Sequence, residues 1–126
     1  ENSCSLTEIY NTMITPYKYG LLAEKIVVIS LRLRFYTILA QRYKTKSGEI
    51  DIIAKKSNKI IFIEVKARKK KVNAEQILSV KQMGRIKATA NIFIAKNNHL
   101  QKYRRHFDFI EVNRFFIYSH KRDFIC

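Results

Sequence analysis

Gly48-Glu49-Ile50-Asp51-Ile52-Ile53-Ala54, then Lys55-Lys56-Ser57-Asn58-Lys59, then Ile60-Ile61-Phe62-Ile63-Glu64-Val65-Lys66-Ala67-Arg68: these residues decide the fold. Two apolar, β-branched runs flank a short polar link, the pattern of a β-hairpin. Ser57-Asn58 is the natural tip, because Asn tolerates the left-handed backbone of a tight turn. A two-residue turn centred there sets Asp51 opposite Glu64 and Glu49 opposite Lys66. A four-residue loop with the same centre keeps that register; a three-residue loop breaks it. Side chains alternate faces along a strand. Glu49, Asp51, Glu64 and Lys66 are therefore expected on one face, and Ile50, Ile52, Ile63 and Val65 on the other.

Directly opposite Cβ atoms lie about 5 Å apart. Two carboxylates so held repel by about 3–4 kcal/mol at an effective dielectric of about 20. A divalent cation relieves that repulsion. Mg²⁺ takes oxygen ligands, and one or two carboxylates plus substrate phosphates commonly suffice. Lys66 would add a positive charge beside it. A solvated polar face neutralised by Lys66 and Arg68 is the other solution, since sheets with one charged face are common. Spacing alone leaves both open.

Gly48-Glu49-Ile50-Asp51 with Phe62-Ile63-Glu64-Val65-Lys66-Ala67-Arg68 resembles the core of the PD-(D/E)xK nuclease superfamily. Within it the long form of the motif resembles the YraN-like branch, small bacterial proteins related to archaeal Holliday-junction resolvases. The resemblance implies a restriction-endonuclease-like α/β sandwich, a mixed central β-sheet flanked by helices. It implies that Asp51 and Glu64 ligate Mg²⁺ or Mn²⁺, with the Val65 carbonyl as a further oxygen ligand. Lys66 would orient a water or neutralise the transition state. Glu24, on the first helix, would lean over the hairpin and complete the site. Gly20-Leu21-Leu22-Ala23-Glu24 carries the family's glycine four residues before that Glu, although Ala23 stands where a second glycine is frequent. Glu24, Asp51, Glu64 and Lys66 are thus the candidate catalytic residues, with Glu49 expected to pair with Lys66. Related resolvases act as dimers, so a homodimer is a further expectation, and no stretch of the sequence marks its surface.

The 126 residues fit one domain with its own core. It is placed at 20–126, with 1–19 read as a poorly ordered lead-in. A hydrophobic share of 47% excludes a disordered tail. The balance of 25 Lys+Arg against 10 Asp+Glu gives a net charge of +15, which calls for a polyanionic partner. Nucleic acid comes first, DNA ahead of RNA. No segment supports a membrane: the longest apolar window, Ile26 to Leu39, is broken by Arg32 and Arg34. No secretory signal pattern is visible at the start. Cys4 and Cys126, at opposite ends, make neither a disulfide framework nor a zinc spacing, so a reducing cytoplasm is expected.

Gly20 is expected to open a helix running to about Phe35, with Leu21, Leu22, Ile26, Ile29 and Leu33 as its buried stripe. Glu24 would sit in the first turn, where the helix dipole favours a carboxylate whatever its function. Residues 36–43 read as the first strand, with Arg42, Lys44 and Lys46 forming a basic margin beside the hairpin. Ile60 to Lys66 has the continuous apolar start of a strand at the sheet centre. The run Arg68-Lys69-Lys70-Lys71 leaves that strand at the candidate site, either as a phosphate-backbone contact or as a solvated loop. Asn73, with Gln76 as capping-box partner, would start a second helix burying Ile77, Val80, Ile86, Ala90, Phe93 and Ile94. Lys81 and Arg85 share a face of it, holding an anion or simply solvated. Asn97-Asn98 ends it. Residues 105–112 alternate as a strand in which Asp108 is structural, and Phe115 to Tyr118 form an edge strand. His99, His106 and His120 lack metal-ligand spacing and read as surface residues.

The order helix, three strands, helix, then one or two strands permits a parallel crossover after the third strand. The leading functional expectation is metal-dependent phosphodiester cleavage. The alternatives are a nucleic-acid-binding module that keeps the fold without turnover, and a basic component of an RNA assembly.

Overall fold

Two β-branched runs around a two-residue turn do make a hairpin. In the computed structural model, which describes residues 16–68, 79–113 and 118–123, strands β2 (Gly48–Lys56) and β3 (Lys59–Ala67) pair antiparallel. Their rungs run from Lys56–Lys59 to Ile52–Ile63, the register expected of a Ser57-Asn58 tip. Ser57, with φ 55°, takes the left-handed conformation in that turn rather than Asn58. Strand β1 (Thr37–Thr45) pairs antiparallel with β2. Helix α1 (Pro16–Leu33) precedes it. Helix α2 (Val80–Lys96) and a short 3₁₀ turn (Asn98–Leu100) lead to strand β4 (Arg104–Val112), which lies parallel to β3. Strand β5 (Tyr118–Lys121) is antiparallel to β4. The spatial order is β1-β2-β3-β4-β5, so β3 is central, and Ile60, Ile61, Phe62 and Ile63 are all buried.

Each face of this sheet has its own core. Ala23, Val27, Val28 and Leu31 of α1 pack on Ile52, Ala54, Ile61, Ile63, Val65, Ile110 and Val112. Ile86, Ala90, Phe93 and Ile94 of α2 pack on Ile50, Ile53, Ile60, Phe62 and Phe109. This is the expected α/β sandwich, a mixed sheet flanked by helices.

Helix α1 departs from expectation in two ways. It begins at Pro16, not Gly20; proline suits a first helical position, where its missing N–H has no partner to lose. Residues 16–19 are therefore helical, while 1–15 lie outside the described residues. The first turn holds no acidic residue, so the dipole account of Glu24 does not apply. The buried face is Tyr19, Ala23, Val27 and Leu31, whereas Ile29 and Leu33 of the expected stripe are 57% and 75% exposed. Apolar residues occur on both sides of this helix, and sequence period alone does not choose between them. The chosen face puts Glu24, next to fully buried Ala23, beside the sheet.

Helix α2 is capped by Ser79. Its hydroxyl accepts from the Gln82 N–H at 3.2 Å, and Gln82 Oε1 accepts from the Ser79 N–H at 3.0 Å. The expected cap at Asn73 and Gln76, and Ile77, lie outside the described residues. Val80 is 86% exposed instead of buried. Asn97 caps the helix end as expected. Tyr118 opens β5 instead of closing a strand; residues 115–117 lie outside the described residues. Gly48, at φ 153°, sits where an added Cβ would lie 3.3 Å from both Arg85 Cβ and Thr89 Oγ1. Among the described residues no helix is long and apolar enough to cross a membrane.

Candidate functional site

The site begins where the hairpin ladder ends. The last β2–β3 rung is Ile52–Ile63, so Asp51–Glu64 and Glu49–Lys66 are not the facing pairs that the turn arithmetic predicts. Beyond that rung Asp51 Oδ2 accepts the Val65 N–H at 2.8 Å. A side-chain carboxylate thus takes a donor that a strand carbonyl would otherwise take. The pleat slips at the same place: Ile52, Ile63 and Val65 face α1, but Ile50 joins the α2 core instead of sharing their face. The cause lies in β1. Arg42, between the rungs Gln41–Ile52 and Tyr43–Ile50, has φ 52°, which breaks the strand alternation opposite Asp51.

Three carboxyl groups meet at this parting. Asp51 is hydrogen-bonded to Glu64 of β3 and to Glu24 of α1. Burial, then the hydrogen bond and charge of Asp51, push Glu64 up to about 9, with Lys66 pulling the other way. Burial, then the Asp51 charge, push Glu24 up to about 7, opposed by Arg42. Glu49 adds repulsion to both. In the absence of a cation these groups relieve their repulsion by holding protons, which bridge them to Asp51.

Arg42 is not on a basic outer margin. Its Nε lies 4.0 Å from Glu24 Oε2 and 3.8 Å from Glu49 Oε1, and it is hydrogen-bonded to Tyr17. Glu49 therefore pairs with Arg42, and not with Lys66 as expected. Counting back from the β1–β2 turn at Lys46-Ser47 sets Arg42 against Asp51, so this role was within reach of the same arithmetic used on the hairpin. Lys66 neighbours Glu111 of β4, whose Oε2 is buried without a hydrogen-bond partner among the described residues. Nothing in the sequence motif pointed to Glu111.

Of the expected phosphate contacts, Lys44, Lys46, Arg68, Lys81 and Arg85 are exposed. Lys44 pairs across to Glu49, Lys46 is in the β1–β2 turn, and Arg85 packs by Gly48, so these three gather at the carboxylate end of the sheet. The Arg68 N–H donates to the Val112 carbonyl at 2.9 Å. Lys69, Lys70 and Lys71 lie outside the described residues.

His120 is not a surface residue, and His106 is half-buried at the surface. His120 Nε2 lies 2.7 Å from Oδ2 of Asp108, which is only 2% exposed, and Asp108 Oδ1 accepts the Asp123 N–H at 2.8 Å. Burial would raise the Asp108 pKa, but these hydrogen bonds outweigh it and hold the group below its usual range. His106 Nδ1 lies 2.6 Å from Asp123 Oδ1.

Among the described residues no group of three or more His, Cys, Asp or Glu side chains stands ready to hold a metal ion. The donor set nevertheless suits a hard divalent cation. Mg²⁺ is commonly held by one or two carboxylates, its other positions filled by water and substrate oxygens. Asp51 and Glu64 supply such a pair. The Val65 N–H tethers the Asp51 carboxylate.

The model of the uncharacterised protein family UPF0102 matches residues 23–112, from α1 to the end of β4. A UPF0102 protein of Rhizobium leguminosarum bv. trifolii is 37% identical over 93 residues, covering 74% of this chain and 76% of the relative. One of Bartonella bacilliformis is 39% identical over 93 residues, with the same coverage of 74% and 76%. One of Mesorhizobium japonicum is 33% identical over 96 residues, 76% of this chain and 77% of the relative. The matched span carries Glu24, Asp51, Glu64, Lys66 and Glu111, and the chain belongs to the UPF0102 family.

Proposed function

We propose that this chain is a metal-dependent nucleic-acid phosphodiesterase, a YraN-like member of the PD-(D/E)xK nucleases, with its reactive centre where β2 and β3 part. The observation that carries this reading is the hydrogen-bonded set Glu24–Asp51–Glu64 beside Lys66, an acidic cluster in a chain of net charge +15. Asp51 and Glu64 would hold Mg²⁺ or Mn²⁺, with the Val65 carbonyl as the further ligand that the resemblance implies. When bound, such a cation lowers the pKa of water and stabilises charge developing on a phosphate.

The chain's own residues supply the rest. The Val65 N–H fixes Asp51. The Lys66 ammonium offsets charge at the phosphate or orients water. Glu24, pushed up to about 7, is poised to accept a proton at a carboxylate oxygen near neutral pH. Arg42 pairs with Glu24 and Glu49. Lys44, Lys46 and Arg85, gathered at this end of the sheet, would take the phosphate backbone, DNA before RNA, with Arg68 to Lys71 and Lys81 extending the contact.

Purified protein is incubated with branched, nicked and linear DNA and with structured RNA, in Mg²⁺, Mn²⁺ or EDTA. Metal-dependent cutting that Asp51→Asn and Lys66→Ala abolish supports the reading. If wild type cuts nothing, or Lys66→Ala cuts as well as wild type, the reading fails. One observation favours a binding module without turnover: Glu64, pushed up to about 9, keeps a proton at neutral pH that a cation must displace. That reading expects nucleic-acid affinity that falls steeply with salt and is unmoved by Asp51→Asn.

A further inference from the structure

The opposite end of the same hairpin carries an open groove of about 480 Å³. It is lined by Tyr36, Lys56, Ser57, Asn58, Lys59, Arg104, His106 and Arg122. No acidic side chain is among them. Lys56 pairs directly with Lys59 across β2–β3, and Lys59 pairs directly with Arg104 across β3–β4. Three cations therefore stand in one row over three adjacent strands. Like charges directly opposite on a sheet destabilise it. None of the three makes an ion pair among the described residues.

Tyr36 concentrates further charge at the same place. Lys56 Nζ lies 5.0 Å and Arg34 Cζ 5.5 Å from its ring centroid. Arg122 Nη1 donates to its hydroxyl at 3.5 Å. Nε and Nη2 of Arg34 are buried without a hydrogen-bond acceptor among the described residues.

We infer that this groove is a second nucleic-acid contact, taking the phosphodiester backbone on the row Lys56, Lys59 and Arg104. Neighbouring strands are about 4.8 Å apart, so the row extends about 10 Å, which fits successive phosphates better than a single anion. A lipid surface is matched by exposed apolar anchors beside the basic residues. Among the described residues the only large apolar body lining this groove is Tyr36, and it is buried. The tip lies about 20 Å along the strands from Asp51, so a bound strand or duplex would be gripped at two separated points. The inference rests on the proposed function only for the nature of the polyanion, and its test involves no cleavage.

Binding of labelled single- and double-stranded DNA and RNA to the full chain is followed by anisotropy in EDTA, over a range of salt. Lys56→Gln/Lys59→Gln/Arg104→Gln is expected to weaken binding by roughly tenfold or more and to lower the salt slope by about two to three. Lys25→Gln/Arg32→Gln/Lys96→Gln, which removes three exposed helix charges, is expected to stay within about threefold of wild type. Equal losses in the two triples would mean that only bulk charge acts, and the inference is overturned. It is also overturned if the groove triple binds as wild type does, or loses affinity for phosphatidylserine vesicles but not for nucleic acid. Should the triple fail to fold, Lys59→Gln, at the centre of the row, is read by the same criteria. Because EDTA silences any metal chemistry, an inactive carboxylate site leaves this result readable. DNA and RNA arms show which backbone is held.

Discussion

One end of the β2–β3 hairpin keeps its ladder, and the other gives it up. At the tip, Lys56 and Lys59 sit on a regular rung, and among the described residues the charged side chains lining the groove beside them are all basic. At the far end the rungs stop after Ile52–Ile63, and Asp51, Glu64 and Glu24 meet in the gap. The same two strands thus present an anion-seeking end and a cation-seeking end. Regular pairing holds like cations in a row, because the register leaves them no choice. Irregular pairing frees a carboxylate to replace a backbone acceptor and to reach two others. Charge accumulation that would be a fault in a purely structural hairpin is concentrated at both ends of this one.

The sharpest way to break the comparison is at the parted end. Asp51→Asn keeps the size of the side chain but removes the charge, and the nuclease activity proposed above should fall by about 100-fold or more. A gel assay in Mn²⁺ measures this. Cutting at the wild-type rate would reduce the parted end to a structural irregularity.

The next effect is on stability. Glu64 and Glu24 are pushed up to about 9 and about 7, so the folded state binds more protons than the unfolded chain above the usual carboxylate range. Their contribution is fully present below about pH 4.5 and is lost as pH rises through about 7 and then about 9. In EDTA the melting temperature should therefore drop between pH 5 and pH 9, by a few kcal/mol equivalent for the more buried Glu64. Mg²⁺ or Mn²⁺ should flatten that slope, and Glu64→Gln should remove most of it. A flat metal-free profile for wild type would deny the proton-sharing cluster.

Gly48→Ala tests the turn that carries the parted end against α2. A backbone at φ 153° and a Cβ at 3.3 Å from Arg85 and Thr89 should together cost about 1–3 kcal/mol in denaturant unfolding. No loss would mean that this close approach is not needed. The smallest effect concerns Arg42. Its pairs with Glu24 and Glu49 are partly exposed, so Arg42→Gln should leave the denaturant-unfolding midpoint almost unchanged. Arg42 lowers the Glu24 pKa, so its loss should move the pH–rate profile of cleavage upward. An unmoved profile would separate Glu24 from the proton transfer.

Turn chemistry and strand alternation are short-range, and they made the hairpin tip, the central β3 and the parallel crossover to β4 legible in the order of residues alone. Asn97 as helix end and the buried Ile86, Ala90, Phe93 and Ile94 were legible for the same reason. The motif also named Asp51, Glu64, Lys66 and Glu24, which the fold does bring together. Their geometry was not legible. Counting rungs assumes a continuous pleat, and the positive φ of Arg42 removes that assumption at the residue that matters most.

The linear order of residues therefore determined the element order, the hairpin register near its tip and the basic character of the chain. Tertiary structure decided which side of α1 meets the sheet, that Arg42 serves the carboxylates instead of a ligand, and that His120 is tied to buried Asp108. The division has a physical cause. Turn and alternation preferences act over a few residues, whereas a helix apolar on two sides, a salt bridge and a buried His–Asp contact are settled only by what packs against them.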